Sequence, residues 1–138
     1  MKAIRLLITL SALLITSMAM AKECVDAQGN DILNQPQAFR ELIEKSNNCH
    51  EAVELARACA WGSMVDVYTA GAAYEVCHTQ FSKMNPDKAD SALLVSMSER
   101  CVAHHDNEGG TMAKSTTAFC HMNAIEFVVN LVTTTEVF

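Results

Sequence analysis

Six cysteines constrain the fold of this chain more than any other feature of its sequence. All of them follow residue 21, and no two are close enough to form the C-x2-4-C pair that zinc sites use. An even number of dispersed cysteines is typical of exported proteins whose small core is cross-linked by disulfides. The sequence therefore predicts three disulfides, formed by Cys24, Cys49, Cys59, Cys77, Cys101 and Cys120.

The first 21 residues have the pattern of a secretory signal peptide. Lys2 and Arg5 give a basic start, residues 6–15 are an apolar run, and Ala19-Met20-Ala21 matches the A-x-A cleavage site. The apolar run is shorter than the roughly 20 residues that span a bilayer. We predict that residues 1–21 are removed and that residues 22–138 form a single domain, periplasmic or secreted, without stable membrane insertion.

The exported part is strongly acidic. The chain has 10 Lys and Arg against 16 Asp and Glu, a formal charge of −6, and loss of Lys2 and Arg5 with the signal peptide makes it −8. Such a charge repels nucleic acid and anionic membrane surfaces and steers cationic proteins towards the chain. We predict a cationic protein partner and no nucleic acid, with a purely solubilising role for the charge as the alternative.

The sequence predicts helices throughout. No stretch shows the period-two alternation of a half-buried strand. Pro36 suits the first turn of a helix, and the apolar stripe that follows is interrupted at residues 46–48, where Ser and Asn side chains compete for backbone hydrogen bonds. In residues 59–81, Gly62 and Gly71 predict a short helical pair, and the apolar content of this segment predicts that the pair is buried.

The segment CVAHHDNEGG, residues 101–110, reads as the end of one helix and the turn into the next. His104 and His105 suit the negative end of a helix dipole. Gly109 and Gly110 can adopt the left-handed conformation that ends a helix. We predict an all-α, disulfide-stapled bundle of about four to five helices that ends in a helical hairpin at this turn.

The hairpin also predicts how cysteines pair. Cys101 and Cys120 lie about 12 and 15 Å from the turn, at 1.5 Å per residue, and therefore at similar heights on two antiparallel helices. We predict a disulfide between them. Similar reasoning across the glycines of the preceding segment pairs Cys59 with Cys77, which leaves Cys24 for Cys49.

The sequence offers no catalytic motif. It lacks G-x-S-x-G, H-E-x-x-H and a glycine-rich phosphate loop. Disulfides would consume every thiol that could act as a nucleophile. The carboxylate pairs Glu41–Glu44 and Glu51–Glu54 have helical spacing, which an exposed acidic helix face explains. We predict that the protein is not an enzyme and has no cofactor.

The histidines raise a periplasmic copper or zinc carrier as an alternative. Side chains of adjacent residues on a helix point about 100° apart, so the Cys-His and His-His dipeptides of this chain are poor chelates. Copper could instead be bound by Met112 and Met122 together with His104 or His105 and His121. We predict no metal site and interpret the histidines as solvated groups near helix ends.

The segment SERCVAHHDNEGGTMAKSTTAFCHMNAIEFVVNL, residues 98–131, resembles the carboxy-terminal half of the LprI-type lysozyme-inhibitor domain found in many exported bacterial proteins. In that family a helix carrying a cysteine ends in a glycine turn, and a second cysteine lies about twenty residues further on the returning helix. The matching residues are Cys101, Gly109, Gly110, Thr111, Met112, Ser115, Phe119 and Cys120. The resemblance implies inhibition of a cationic cell-wall hydrolase such as lysozyme.

We therefore predict an exported protein-binding protein that inhibits a cell-wall hydrolase by occlusion. The acidic residues Glu99, Asp106 and Glu108 are the predicted contacts with the partner. An immunity protein against a secreted peptidoglycan-degrading toxin would share all of these features and is a further alternative.

Overall fold

The computed structural model describes residue 24 and residues 35–105 and 108–135, and it contains only helices and connections there. The predicted all-α class is confirmed for this part of the chain, whereas the predicted signal peptide lies outside it. No helix in these residues combines the length and apolar character needed to cross a membrane. The helices are α1 (Pro36–Glu44), α2 (Cys49–Ala58), α3 (Met64–Lys83), α4 (Lys88–His105) and α5 (Thr111–Thr135).

The interruption predicted at residues 46–48 separates α1 from α2. Pro36 occupies the first turn of α1, where a backbone N–H would have no partner within the helix and proline is therefore tolerated. The Asn48 side chain caps α2 by accepting a hydrogen bond of 2.9 Å from the Glu51 N–H. The polar residues that break the first stripe therefore start the second helix.

The short helical pair predicted for residues 59–81 is wrong. Gly62 lies in the connection before α3, and Gly71 lies inside this continuous helix of 20 residues. A glycine in a helix costs about 1 kcal/mol relative to alanine. Burial of Ala70, Ala72 and Ala73 on either side of Gly71 offsets this cost, because their small side chains let α3 pack closely against its neighbours.

The core lies around α3, which packs against α1, α2 and, most extensively, α5. Helices α3 and α5 run parallel, since Asp66 near the start of α3 contacts Ser115 near the start of α5. The buried side chains of α5 between them include Met122, Ile125 and Val128. Where these two helices meet, α5 supplies most of the large buried side chains and α3 mainly alanines, while Phe39 and Ile43 of α1 add further large side chains to the core.

Helices α4 and α5 form the predicted hairpin. Helix α4 ends at His105, α5 begins at Thr111, and Gly110 between them has a φ of 103°. This conformation favours glycine, as the sequence predicts. Helix α4 packs against α5 and buries only Leu94 and Cys101, so most of its surface faces solvent.

The described residues contain three disulfides and no free cysteine. The predicted Cys101–Cys120 bridge is confirmed, with 5.6 Å between the Cα atoms. The other two predicted pairings are wrong, because the structure joins Cys24 to Cys59 and Cys49 to Cys77.

The continuity of α3 explains the two wrong pairings. Cys59 precedes the start of α3, and Cys77 lies thirteen residues into the helix, about 20 Å along its axis. A disulfide needs Cα atoms within about 7 Å, so these two cysteines cannot be joined. Helix α2 instead places Cys49 beside Cys77, with their Cα atoms 4.3 Å apart.

Candidate protein-binding site

A buried carboxylate organises one end of the bundle. The side chain of Asp66, near the start of α3, is completely buried. Its carboxylate accepts hydrogen bonds from the backbone N–H of Trp61 at 3.1 and 3.2 Å and from the N–H of Ser63 at 3.0 Å. The Ser115 hydroxyl donates a further bond of 2.7 Å from α5. Asp66 therefore ties the α2–α3 connection to the starts of two helices.

The same residue completes a capping box. Ser63 is the N-cap of α3, and its hydroxyl accepts from the Val65 N–H at 3.2 Å while Asp66 accepts from the Ser63 N–H. This reciprocal arrangement satisfies donors that a helix start leaves unpaired. The local sequence Ser63-Met64-Val65-Asp66 thus dictates where α3 begins, and the bond from Ser115 links this local motif to the tertiary structure.

The connection that carries Trp61 is held from both sides. Cys59, two residues earlier, is bonded to Cys24, and Ser63, two residues later, caps α3. Gly62 has a φ of 70°, and a β-carbon there would lie 2.8 Å from the sulfur of Met112. The Met112 side chain therefore lies against the backbone of Gly62, and the positive φ of this position favours glycine.

Four large apolar side chains are exposed at this end of the bundle. Trp61 is 67% exposed, Met112 64%, Tyr68 56% and Met64 36%. Met64 and Tyr68 lie one turn apart on the solvent side of α3. We call these four residues the end surface. Clustered exposed apolar side chains mark interaction sites, and Trp, Tyr and Met are enriched in protein interfaces.

The end surface contradicts the prediction that residues 59–81 are buried. The prediction treated apolar content as burial, whereas in α3 the alanines are buried and the aromatic Tyr68 faces solvent. The sequence of α3 carries only a weak signal for this exposure. On a helical wheel Tyr68 shares its face with the exposed Gly71 and Glu75, but also with the buried Ala72.

The structure separates the predicted contact residues. Glu108 is exposed in the connection that leads into α5, at the same end as Met112, and its carboxylate lies 2.9 Å from His105 Nδ1. Glu99 is exposed on α4 and lines a different feature, the groove between α3 and α4. Asp106 lies outside the described residues. Glu99 and Glu108 therefore do not belong to one surface.

The α3–α4 groove has a volume of about 510 Å³. Its α3 wall carries Tyr74 and His78, whose rings stack with centroids 6.1 Å apart and an interplanar angle of 19°. Its α4 wall carries Val95, Glu99 and Val102. The groove thus combines an aromatic wall with a wall that carries aliphatic side chains, the hydroxyl groups of Ser91 and Ser98, and one carboxylate.

Burial raises the pKa of the Tyr74 phenol, and the neighbouring Glu75 carboxylate raises it further. The folded state therefore favours the neutral phenol. This contribution to stability is complete below the ordinary tyrosine pKa of about 10 and is lost as pH rises through the raised value.

Alkaline pH should therefore destabilise the wild-type chain more than Tyr74→Phe, which keeps the ring and lacks the titrating group. Urea unfolding at about pH 9 and about pH 11 measures this difference, since the two values bracket the ordinary tyrosine pKa. The same loss of stability in both proteins would show that Tyr74 makes no such contribution.

A second buried carboxylate fastens α2 to α5. Glu126 is 8% exposed, and its oxygens lie 2.6 Å from Arg57 Nη2 and 3.2 Å from His50 Nδ1. The Arg57 guanidinium also donates to the Asn123 side-chain oxygen at 2.7 Å. Pairing and hydrogen bonding of this kind compensate for the cost of removing a charged group from water. The His50 side chain remains 70% exposed, so Arg57 is the closer and less exposed partner of this carboxylate.

The cysteines and histidines do not assemble a metal site in the part of the chain that the structure describes. No group of three or more His, Cys, Asp and Glu side chains there is arranged to hold an ion. Met112 is exposed at the start of α5, whereas Met122 is buried ten residues later, about 15 Å along the helix. These two thioethers cannot share a copper ion.

Comparison of the chain with protein-family models, curated proteins and solved structures finds no match.

Proposed function

We propose that this chain is an exported protein-binding protein that inhibits a cationic cell-wall hydrolase by covering its cleft with the end surface. The resemblance of residues 98–131 to LprI-type lysozyme inhibitors supports the class of target. The disulfides support export, since such bonds persist in oxidising compartments.

The observation that carries the proposal is the fixed exposure of Trp61. Its side chain is 67% exposed, yet its backbone N–H is bonded to the buried Asp66 and a disulfide lies two residues away. Tryptophan is the residue type most typical of binding hot spots. A connection that is already ordered before binding loses little conformational entropy in the complex.

Charge contributes at longer range. The described charged side chains near the start of α5 are Glu108 and Lys114, which balance each other. Steering of a cationic enzyme would therefore come from the net charge of the exported part and not from a local acidic cluster. Such steering raises the association rate at low salt, whereas the apolar end surface supplies the affinity.

Replacing Trp61 with alanine should weaken binding to a cationic hydrolase by roughly 30-fold or more, the effect of losing a hot spot of about 2 kcal/mol. Phe127→Ala is the matched control, because Phe127 is 53% exposed on α5 but lies sixteen residues from Thr111, about 24 Å along the helix. Binding of residues 22–138 to purified lysozymes can be measured by surface plasmon resonance at low and high salt.

We expect a large loss of affinity for Trp61→Ala, a small change of affinity for Phe127→Ala and slower association at high salt. Equal losses in both variants, or no hydrolase binding at low salt, would reject it. Binding to a secreted peptidoglycan-degrading toxin in place of lysozyme would favour the immunity protein. Trp61 is the sole tryptophan of the chain, so a change in its fluorescence reports binding independently. This measurement suits targets whose own tryptophan fluorescence does not change on binding.

A further inference from the structure

The α3–α4 groove is a second candidate binding site, separate from the end surface. Val95 is 56% exposed and Val102 is 49% exposed, two turns apart on α4. Glu99 lies one turn from each of them, on the same side of the helix. These three residues form a solvent-facing stripe in which two aliphatic side chains flank one carboxylate.

The charges around the groove favour a cationic occupant. Glu99 is the sole carboxylate among the residues that line it, and no lysine or arginine lines it. Glu75 lies close enough to act on Tyr74 and adds negative potential beside the aromatic wall. The other titratable lining groups are His78 and His121.

The shape of the walls distinguishes arginine from lysine. A guanidinium is planar, so it can stack on the ring pair formed by Tyr74 and His78 and donate two parallel hydrogen bonds to a carboxylate. An ammonium group is a compact point charge that matches neither feature. The methylene groups of an arginine whose guanidinium binds Glu99 can lie along either Val95 or Val102.

We propose that the α3–α4 groove binds an arginine side chain that a basic segment of a partner protein presents. The guanidinium lies between the ring pair of Tyr74 and His78 and the carboxylate of Glu99. A groove of about 510 Å³ also accommodates residues that flank the arginine. This site shares no residue with the end surface, so it does not depend on the proposed hydrolase inhibition.

Three labelled peptides that differ only at a central position test the proposal: one with arginine, one with lysine and one with citrulline, the neutral isostere of arginine. Fluorescence anisotropy at about pH 8 and low salt should show at least about tenfold weaker binding of the citrulline peptide, because a charge-assisted bidentate pair is lost. The lysine peptide should bind more weakly than the arginine peptide, since it cannot stack or form the fork.

Variants of exposed residues connect this binding to the groove. Glu99→Gln should weaken binding of the arginine peptide about tenfold, and His78→Ala should weaken it about threefold through loss of stacking. Glu41→Gln removes a carboxylate that is also exposed, from α1 and outside the groove, and should leave binding within about twofold. Trp61→Ala should bind the peptide like the wild type, which separates this site from the proposed hydrolase-binding surface.

Equal binding of the arginine and citrulline peptides would overturn the proposal, as would equal losses for Glu99→Gln and Glu41→Gln. Sedimentation of the unliganded chain tests whether a second copy of the chain occupies the groove. A dimer that Val95→Glu dissociates would show that a second copy fills the groove, and this result would also overturn the proposal.

Discussion

Replacement of Asp66 by alanine is expected to lower the free energy of unfolding by about 4 kcal/mol. The carboxylate accepts hydrogen bonds from two backbone N–H groups and from the Ser115 hydroxyl in a site that water does not reach. Alanine would leave these donors without a partner and would also remove the capping box of α3. Each orphaned donor costs about 1 to 3 kcal/mol, and a lost cap costs about 1 kcal/mol.

Two further variants test whether the carboxylate itself is responsible. Asp66→Asn places an NH₂ group where one of the two oxygens accepts, so it should lose about 2 kcal/mol. Ser115→Ala removes a donor and leaves the backbone bonds in place, so it should lose about 1 kcal/mol. Urea unfolding monitored by circular dichroism gives the values. A loss below about 1 kcal/mol for Asp66→Ala would show that this hydrogen-bond network contributes little to stability.

Removal of the Cys49–Cys77 disulfide by a double substitution to alanine should lower the free energy of unfolding by about 3 to 4 kcal/mol. The bridge closes a segment with a sequence separation of 28, and without it the unfolded chain gains the entropy of that open loop. Both cysteines are buried in the core, so the substitution also removes packed sulfur atoms. Denaturant unfolding under non-reducing conditions measures the loss.

The Cys101–Cys120 disulfide is the matched comparison. Its sequence separation of 19 gives a similar loop entropy, about 3 kcal/mol, but it fastens the peripheral α4 and Cys120 is partly exposed. Its removal should therefore cost less than removal of Cys49–Cys77. An equal or larger loss at Cys101–Cys120 would show that core packing adds nothing at the central bridge. Peptide mapping of the oxidised chain checks the pairing itself.

Local signals in the sequence were enough for the helix boundaries that they govern directly. Pro36 starts α1, Asn48 caps α2 and Gly110 ends the turn into α5, because each acts on backbone groups within a few residues. The Cys101–Cys120 bridge was predictable for the same reason, since a short turn places two helices side by side. The antiparallel hairpin is a local structure, and its geometry needs no information from elsewhere in the chain.

Predictions that required distant contacts were less successful. Gly71 reads as a break, yet α3 continues through it because its alanines are buried against three other helices. Once α3 is continuous, Cys77 is too far from Cys59 to pair with it, so one error in secondary structure produced two errors in connectivity. Trp61 was predicted to be buried because the apolar content of residues 59–81 was read as burial, whereas it lies in the connection before α3 and is exposed.

By itself, the sequence determined the helical class, the starts of α1, α2 and α5, and the disulfide of the final hairpin, since propensity, capping and short turns act over neighbouring residues. Only the tertiary structure decided the other two disulfides and the end surface. Both depend on how α3 packs against α2 and α5. Cys77 of α3 meets Cys49 of α2, and Asp66 of α3 accepts a hydrogen bond from Ser115 of α5, a residue 49 positions away. Contacts between residues so far apart in the sequence depend on which helix faces pack together in the core, and no local sequence pattern determines that packing.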